Sequence, residues 1–243
     1  MATVYEKLRE RLDMFPQGFA KTESGVELEI LKRLFSPEEA EIMLHVRPLL
    51  EKLSDIAQRM GKEEKKLGEM LYDMSKRGLL MRWRAPNNDM YYFMMPWAIG
   101  IFEFQLNNLT MENVELYEKF YAEGMVPSWK NRKTGLVRVI PVQKEIEGKT
   151  EIQPYEKVSQ IIESNTRFAV ADCICRKIAK MQGHGCDKLL EACMSFGPAA
   201  DFYIENGIGR EITKEEAKQV LEKAEESGLI HCSTNQAGNK IFI

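Results

Sequence analysis

The chain has 243 residues, 44% of them hydrophobic, which is enough to bury one large core or two modest ones. Its 34 basic residues are nearly offset by 37 acidic ones, and the formal charge of -3 excludes a global pull toward nucleic acid or an anionic membrane, leaving only local patches for such contacts. Glu6, Lys7, Arg9, Glu10 and Arg11 interrupt the place where the apolar core of an export signal would lie, and the longest apolar run, Met90 to Phe102, falls short of the ~18 residues of a membrane span and is broken by Pro96 and Gly100.

A first helix is predicted from Thr3 to Met14, because Tyr5, Leu8 and Leu12 recur at helical spacing before Pro16 and Gly18. Val26 to Phe35 reads as a second. Ser36, Pro37, Glu38 and Glu39 form a capping-box start for a third, expected to end near Pro48. Ser54 to Met60, closed by Gly61, and Lys62 to Arg77, closed by Gly78, complete a helix-turn-helix. Leu79 to Arg84 then reads as a strand, Pro86 to Asp89 as a turn, and Met90 to Met95 as the returning strand. Three helices followed by a two-stranded wing are the winged helix-turn-helix pattern.

Thr110 to Glu123 is a further amphipathic helix, and Pro127 to Gly148 a connector around one strand candidate, Leu136 to Ile140. The last third opens with a helix, Pro154 to Ser164, and a strand, Phe168 to Ala171, that runs into Cys173. Helices are predicted over Asp187 to Phe196 and Ala199 to Asn206. Thr213 and Glu216 box the start of another that closes at Gly228, and Leu229 and Ile230 begin a strand. The expected fold is mainly α with small β elements: a helical arm (1-34), a winged-helix domain (35-106), a helix and connector (107-152), and a helical cysteine-cluster domain (153-243). The run Lys240 to Ile243 carries no polar tail, and we expect the native protein to continue beyond it.

Four of the five cysteines, Cys173, Cys175, Cys186 and Cys193, crowd into twenty-one positions, while Cys232 stands apart and reads as a half-buried small residue. With no export signal the expected compartment is the reducing cytoplasm, where close cysteines bind metal or do redox chemistry more often than they form structural disulfides. In extended backbone Cys173 and Cys175 would point to one side. If Asp187 to Phe196 is helical, Cys186 and Cys193 lie two turns apart on one face. Softness admits an iron-sulfur cluster, zinc or cuprous copper. Structural zinc sites favour two to four residues between paired cysteines; here the pairs enclose one and six, which suits a larger body such as a 4Fe-4S cluster and leaves zinc as the alternative. Arg176 and Lys177, with Lys180 and Lys188, could offset thiolate charge or simply form a solvated face. His184, between two glycines, could replace a cysteine or stand exposed.

The run Ala171-Asp-Cys-Ile-Cys-Arg176, then Gly183-His-Gly-Cys-Asp187, then Leu190-Glu-Ala-Cys-Met-Ser-Phe-Gly197 resembles a family of winged-helix-containing 4Fe-4S ferredoxin-like proteins of anaerobes. The likeness extends to Tyr203-Ile-Glu-Asn-Gly207, Glu225-Glu-Ser-Gly-Leu229 and the pattern from Gly25 to Ala40, and so covers nearly the whole chain. Members bind a 4Fe-4S cluster, and many continue into a cysteine-rich segment and a ferredoxin module. This chain ends where that segment would begin. The resemblance implies a cluster on Cys173, Cys175, Cys186 and Cys193, electron transfer, and redox protein partners.

The alternatives are a redox- or metal-responsive DNA-binding regulator and a structural zinc module for assembly. DNA would meet Lys65 and Lys66 on the third helix of the winged helix and Arg82 and Arg84 on the wing, but Glu63, Glu64, Glu69 and Asp73 nearly cancel that helix's charge. DNA is the less favoured partner. No Gly-rich phosphate loop is present, and His45, His184 and His231 form no recognisable pair with a nucleophile, so nothing argues for hydrolysis or group transfer.

Overall fold

The structure, a computed structural model, describes residues 2-130, 137-139 and 158-234. The chain divides into two compact units, Met1-Thr134 and Gly135-Ile243. Much of the predicted connector and the run Lys240 to Ile243 lie outside the described residues. Within them the fold is mainly helical with small antiparallel sheets.

The first unit begins with α1 (Val4-Asp13), α2 (Val26-Leu34) and α3 (Pro37-Met43). Two of these start at complete capping boxes. Thr3 Oγ1 accepts from the Glu6 backbone N-H at 3.2 Å while the Glu6 carboxylate accepts from Thr3 N-H at 2.6 Å, and Ser36 with Glu39 repeats the exchange at 3.2 and 2.8 Å. Each cap stabilises its helix by about 1 kcal/mol. The third helix ends at Met43 rather than near Pro48. Proline disfavours helical backbone at Arg47, whose N-H instead donates to Glu51 Oε2 at 3.1 Å.

Next come β1 (Glu51-Lys52), α4 (Leu53-Met60), α5 (Glu64-Lys76), β2 (Met81-Arg84) and β3 (Met90-Phe93). The strands form an antiparallel sheet in the order β1-β3-β2, with Arg82 opposite Tyr92 and Trp83 opposite Tyr91. The two-residue β1 was not foreseen, being too short to show alternation. Gly78, at φ +74°, turns the chain from α5 toward β2; a Cβ there would meet Phe104 Cβ at 2.6 Å.

After β3, Trp97-Ile101 and a 3₁₀ segment, Glu103-Asn108, lead to α6 (Met111-Phe120) and α7 (Val126-Lys130), joined by a wider π turn. Trp97 is buried with its ring centroid 5.4 Å from both Phe19 and Tyr117, and Phe19 lies 4.5 Å from Phe120. Because α1 packs on α2 and α3, and α2 on α6, the residues before Ser36 are part of this unit's core.

The second unit contains β4 (Val137-Val139), α8 (Val158-Glu163), β5 (Phe168-Asp172), α9 (Ile174-Met181), β6 (Glu191-Phe196), α10 (Pro198-Glu205), β7 (Arg210-Glu211), α11 (Lys214-Glu226) and β8 (Cys232-Thr234). Here β5 is the middle strand of an antiparallel sheet, order β6-β5-β7, and β4 pairs with β8. The predicted helix over Asp187 to Phe196 is instead a loop followed by β6. Met194 and Phe196 alternate with Cys193 and Ser195, a period of two that the helical reading overlooked. Cys193 therefore lies on a strand and not on a helix.

One face of that sheet carries Phe168, Val170, Met194 and Phe196, which bury against Ile161 and Ile162 of α8 and Ala217, Val220 and Leu221 of α11. Its other residues, Ala169, Ala171 and Ser195, are small and buried, and α10 packs on β5 and β6. Gly209 allows β7 to approach: a Cβ there would lie 2.7 Å from Val170 O.

Candidate functional site

The alternation of β5 explains where the first thiol lies. Ala169 and Ala171 share the small-residue face, and Cys173 follows in extended backbone (φ -69°, ψ 112°) as the residue that starts α9. Its N-H donates to Leu190 O at 2.9 Å, which continues the strand pairing past the end of β5. Across the ladder Cys193 is paired with Ala171, and a β-bulge between Ala171 and Asp172 shifts the register toward Glu191. Cys175 follows in the first turn of α9 and is exposed. The expected extended pair is thus a strand-to-helix junction.

Hydrogen bonding to the side chains of Cys175 and Cys193 is the largest influence on the Cys173 thiol. It holds the thiol far below its ordinary pKa. The Arg176 backbone N-H at the helix N-terminus and the Arg176 charge act in the same direction, against the effect of burial. The opposite applies to Cys193, whose thiol is pushed up by its role as donor to Cys173, by burial and by the two neighbouring cysteines.

Cys186 is placed by a different device. The left-handed Gly183, at φ +78°, ends α9, with His184 N-H donating to Ala179 O at 3.1 Å. Gly185 then lies against α9 so closely that a Cβ would stand 2.8 Å from Lys180 Cα and 2.9 Å from Lys180 N. Cys186 follows, exposed in the loop. His184 is exposed as well. Among the described residues, no group of three or more His, Cys, Asp or Glu side chains is arranged to hold a metal ion.

Of the neighbouring cations, Arg176 is half-buried and donates from Nη1 to Leu189 O at 2.6 Å, tying α9 to the loop that leads into β6. Lys177 is half-buried one residue along, and Lys188 reaches the Ser227 carbonyl. An ion pair that sequence reading did not single out, Arg210 with Glu191 at 2.8 and 2.9 Å, clamps the outer strands β6 and β7 next to the site; a separation of nineteen positions hides it from sequence inspection. Cys232 lies on β8 opposite Val139, beside the buried His231.

The predicted phosphate contacts divide. Lys65, Lys66 and Arg84 are exposed, Arg84 donating to Asn88 Oδ1 at 2.9 Å. Arg82 is 3% exposed, donates to Ser75 Oγ at 3.0 Å and lies 5.0 Å over the Tyr72 ring, so it belongs to the interior and does not reach outward from the wing. Among the described residues, no helix is long and apolar enough to cross a membrane. No protein-family model, no curated protein and no solved structure matches the chain.

Proposed function

We propose that the second unit is an iron-sulfur module in which Cys173, Cys175 and Cys193 hold a 4Fe-4S cluster, with Cys186 as the fourth ligand from its exposed loop. The observation that carries this reading is the backbone placement that sets Cys193 opposite Ala171, two positions before Cys173, with Cys175 in the turn that follows. Donor chemistry agrees: three soft sulfurs, one already favouring the thiolate form that binds metal, with a guanidinium and a helix N-terminus to offset charge. When bound, such a cluster supplies one-electron transfer. The chain's own residues would hold the cluster, shield one side of it with the small-residue face of the sheet, and leave Cys175 and the Cys186 loop facing solvent, where a redox partner could approach.

Residues 37-93 of the first unit support a winged-helix reading. A helix, a short strand, two helices and a hairpin follow in that order, with the short strand added to the hairpin's β3 edge. With Arg82 inside, the phosphate footprint is reduced to Lys65, Lys66 and Arg84, too few to neutralise a duplex contact of several charges. We therefore read this unit as a protein-packing module, and zinc or DNA-linked regulation as the lesser alternatives.

The deciding experiment is anaerobic reconstitution of the purified chain with iron and sulfide. Broad visible absorbance with matched iron and sulfide content is expected. Protein that stays colourless and iron-free, or that takes up zinc alone in a redox-silent form, rejects the reading.

A further inference from the structure

We propose that, without metal, Cys173 and Cys193 form a reversible disulfide that closes the site to metal. The inference stands on backbone placement. The two residues flank the same end of the β5-β6 ladder: Cys193 opposes Ala171, and Cys173 lies two positions beyond it on the same strand face. Cys173 N-H also donates to Leu190 O at 2.9 Å, so the ladder that carries Cys193 continues up to Cys173 itself. Neither belongs to the exposed loop, so no rearrangement of Cys186 is needed. By contrast Cys175 is on the first turn of α9 and faces solvent, with one residue between it and Cys173, a separation that closes only a small, strained ring.

The step balances as ordinary thiol-disulfide exchange with a small-molecule disulfide such as oxidised glutathione. The Cys173 sulfur attacks one glutathione sulfur and expels the other as thiolate. The Cys193 sulfur then attacks Cys173 Sγ and expels the second glutathione thiolate. One S-S bond has formed in the protein and one has broken in the oxidant. Two electrons have passed to glutathione, and the two thiol protons end on its two thiols. Dithiothreitol reverses the exchange. A disulfide would also remove two of the four thiols proposed as cluster ligands, so bond and cluster exclude each other; this consequence rests on the iron-sulfur reading, whereas the disulfide itself does not.

The test uses the full chain, made metal-free with a chelator under anaerobic conditions and equilibrated with oxidised glutathione. Thiol titration in denaturant should fall from five to three. Trypsin cuts the chain into separate peptides that carry Cys173 and Cys175 (168-176), Cys186 (181-188) and Cys193 (189-210), so non-reducing mass spectrometry identifies the bond. We expect peptide 168-176 joined to 189-210, in the native sequence and in Cys175→Ser alike, and its loss in Cys173→Ser. Five thiols remaining, a bond within 168-176, or a link to 181-188 overturns the proposal, as does a link that survives Cys173→Ser and disappears in Cys175→Ser. In parallel, oxidised and reduced samples are offered iron and sulfide. Oxidised protein should load at least tenfold less, with recovery after dithiothreitol, and equal loading overturns the exclusion. A reduced sample that never loads sinks the cluster reading and the exclusion together while leaving the peptide map to decide the disulfide.

Discussion

Cys193 on β6 lies directly opposite Ala171 on β5, two residues before Cys173, and this pairing places the two cysteines at the same end of one strand ladder. The cysteine of the outer strand is consequently held by backbone hydrogen bonds on one side and by the packing of Met194 and Phe196 on the other. On the proposed cluster reading, such a strand positions its cysteine before any metal arrives. Cys173→Ser or Cys193→Ser should each reduce iron and sulfide content at least tenfold on reconstitution, while Cys232→Ser, on β8, should retain it. The measurement is iron and sulfide per chain, and retention of full content by Cys173→Ser would count against the assigned ligand set.

Gly185 should matter for the same reason as the cysteine that follows it. A methyl group there would press on Lys180 Cα and N at 2.8 and 2.9 Å, backbone atoms in α9 that cannot move aside singly. Gly185→Ala is expected to displace the loop carrying Cys186 and to lower cluster incorporation severalfold, with the thermal unfolding of the second unit shifted by no more than a few degrees. Unchanged incorporation would remove the loop from the site.

The sheet beneath the thiols depends on a second close approach. Gly209→Ala would place a methyl 2.7 Å from Val170 O and force β7 away from β5, costing about 1-3 kcal/mol by overpacking. Chemical denaturation followed by circular dichroism should record that loss. A variant as stable as the parent would show that β7 contributes little.

On the wing, burial separates two arginines that look equivalent in sequence. Arg82→Ala removes one hydrogen-bond partner of the buried Ser75 Oγ, which also donates to Tyr72 O, and the cation above Tyr72, and should destabilise the first unit by about 1-3 kcal/mol. Arg84→Ala, exposed and bonded only to the turn residue Asn88, should change stability by no more than about 0.5 kcal/mol. Equal effects in urea titrations would contradict the packing.

His231 gives the second unit an acid sensitivity. Burial lowers its pKa, with Glu225 at 3.5 Å opposing only in part. The unfolded chain therefore binds a proton at a higher pH than the folded one. The stability contribution is complete above the unfolded value of about 6.5 and falls as pH drops below it toward the depressed folded value. Unfolding midpoints measured from pH 7.5 to 5 should decline across this window, with a shallower slope for His231→Gln; identical slopes would exclude the histidine as the source.

The local elements were legible because short-range chemistry sets them. Ser36-Glu39 and Thr213-Glu216 form capping boxes as read, the glycines at 61, 78 and 228 mark helix ends, and the hairpin from Met81 to Phe93 returns through the predicted turn. The clustering of four cysteines was equally plain from composition and spacing. What no local signal contained was the partner of each strand. Glu191 to Phe196 carries both a helix-compatible spacing and an alternation of two, and only pairing with Phe168 to Asp172 selects the strand, because the hydrogen bonds and the buried face that stabilise it come from residues more than twenty positions away. The same long-range packing took Arg82 into the interior, joined Arg210 to Glu191, and put Cys173 and Cys193 at the same end of one strand ladder while leaving Cys186 exposed. Sequence determined which residues could do the chemistry; tertiary pairing decided which of them meet.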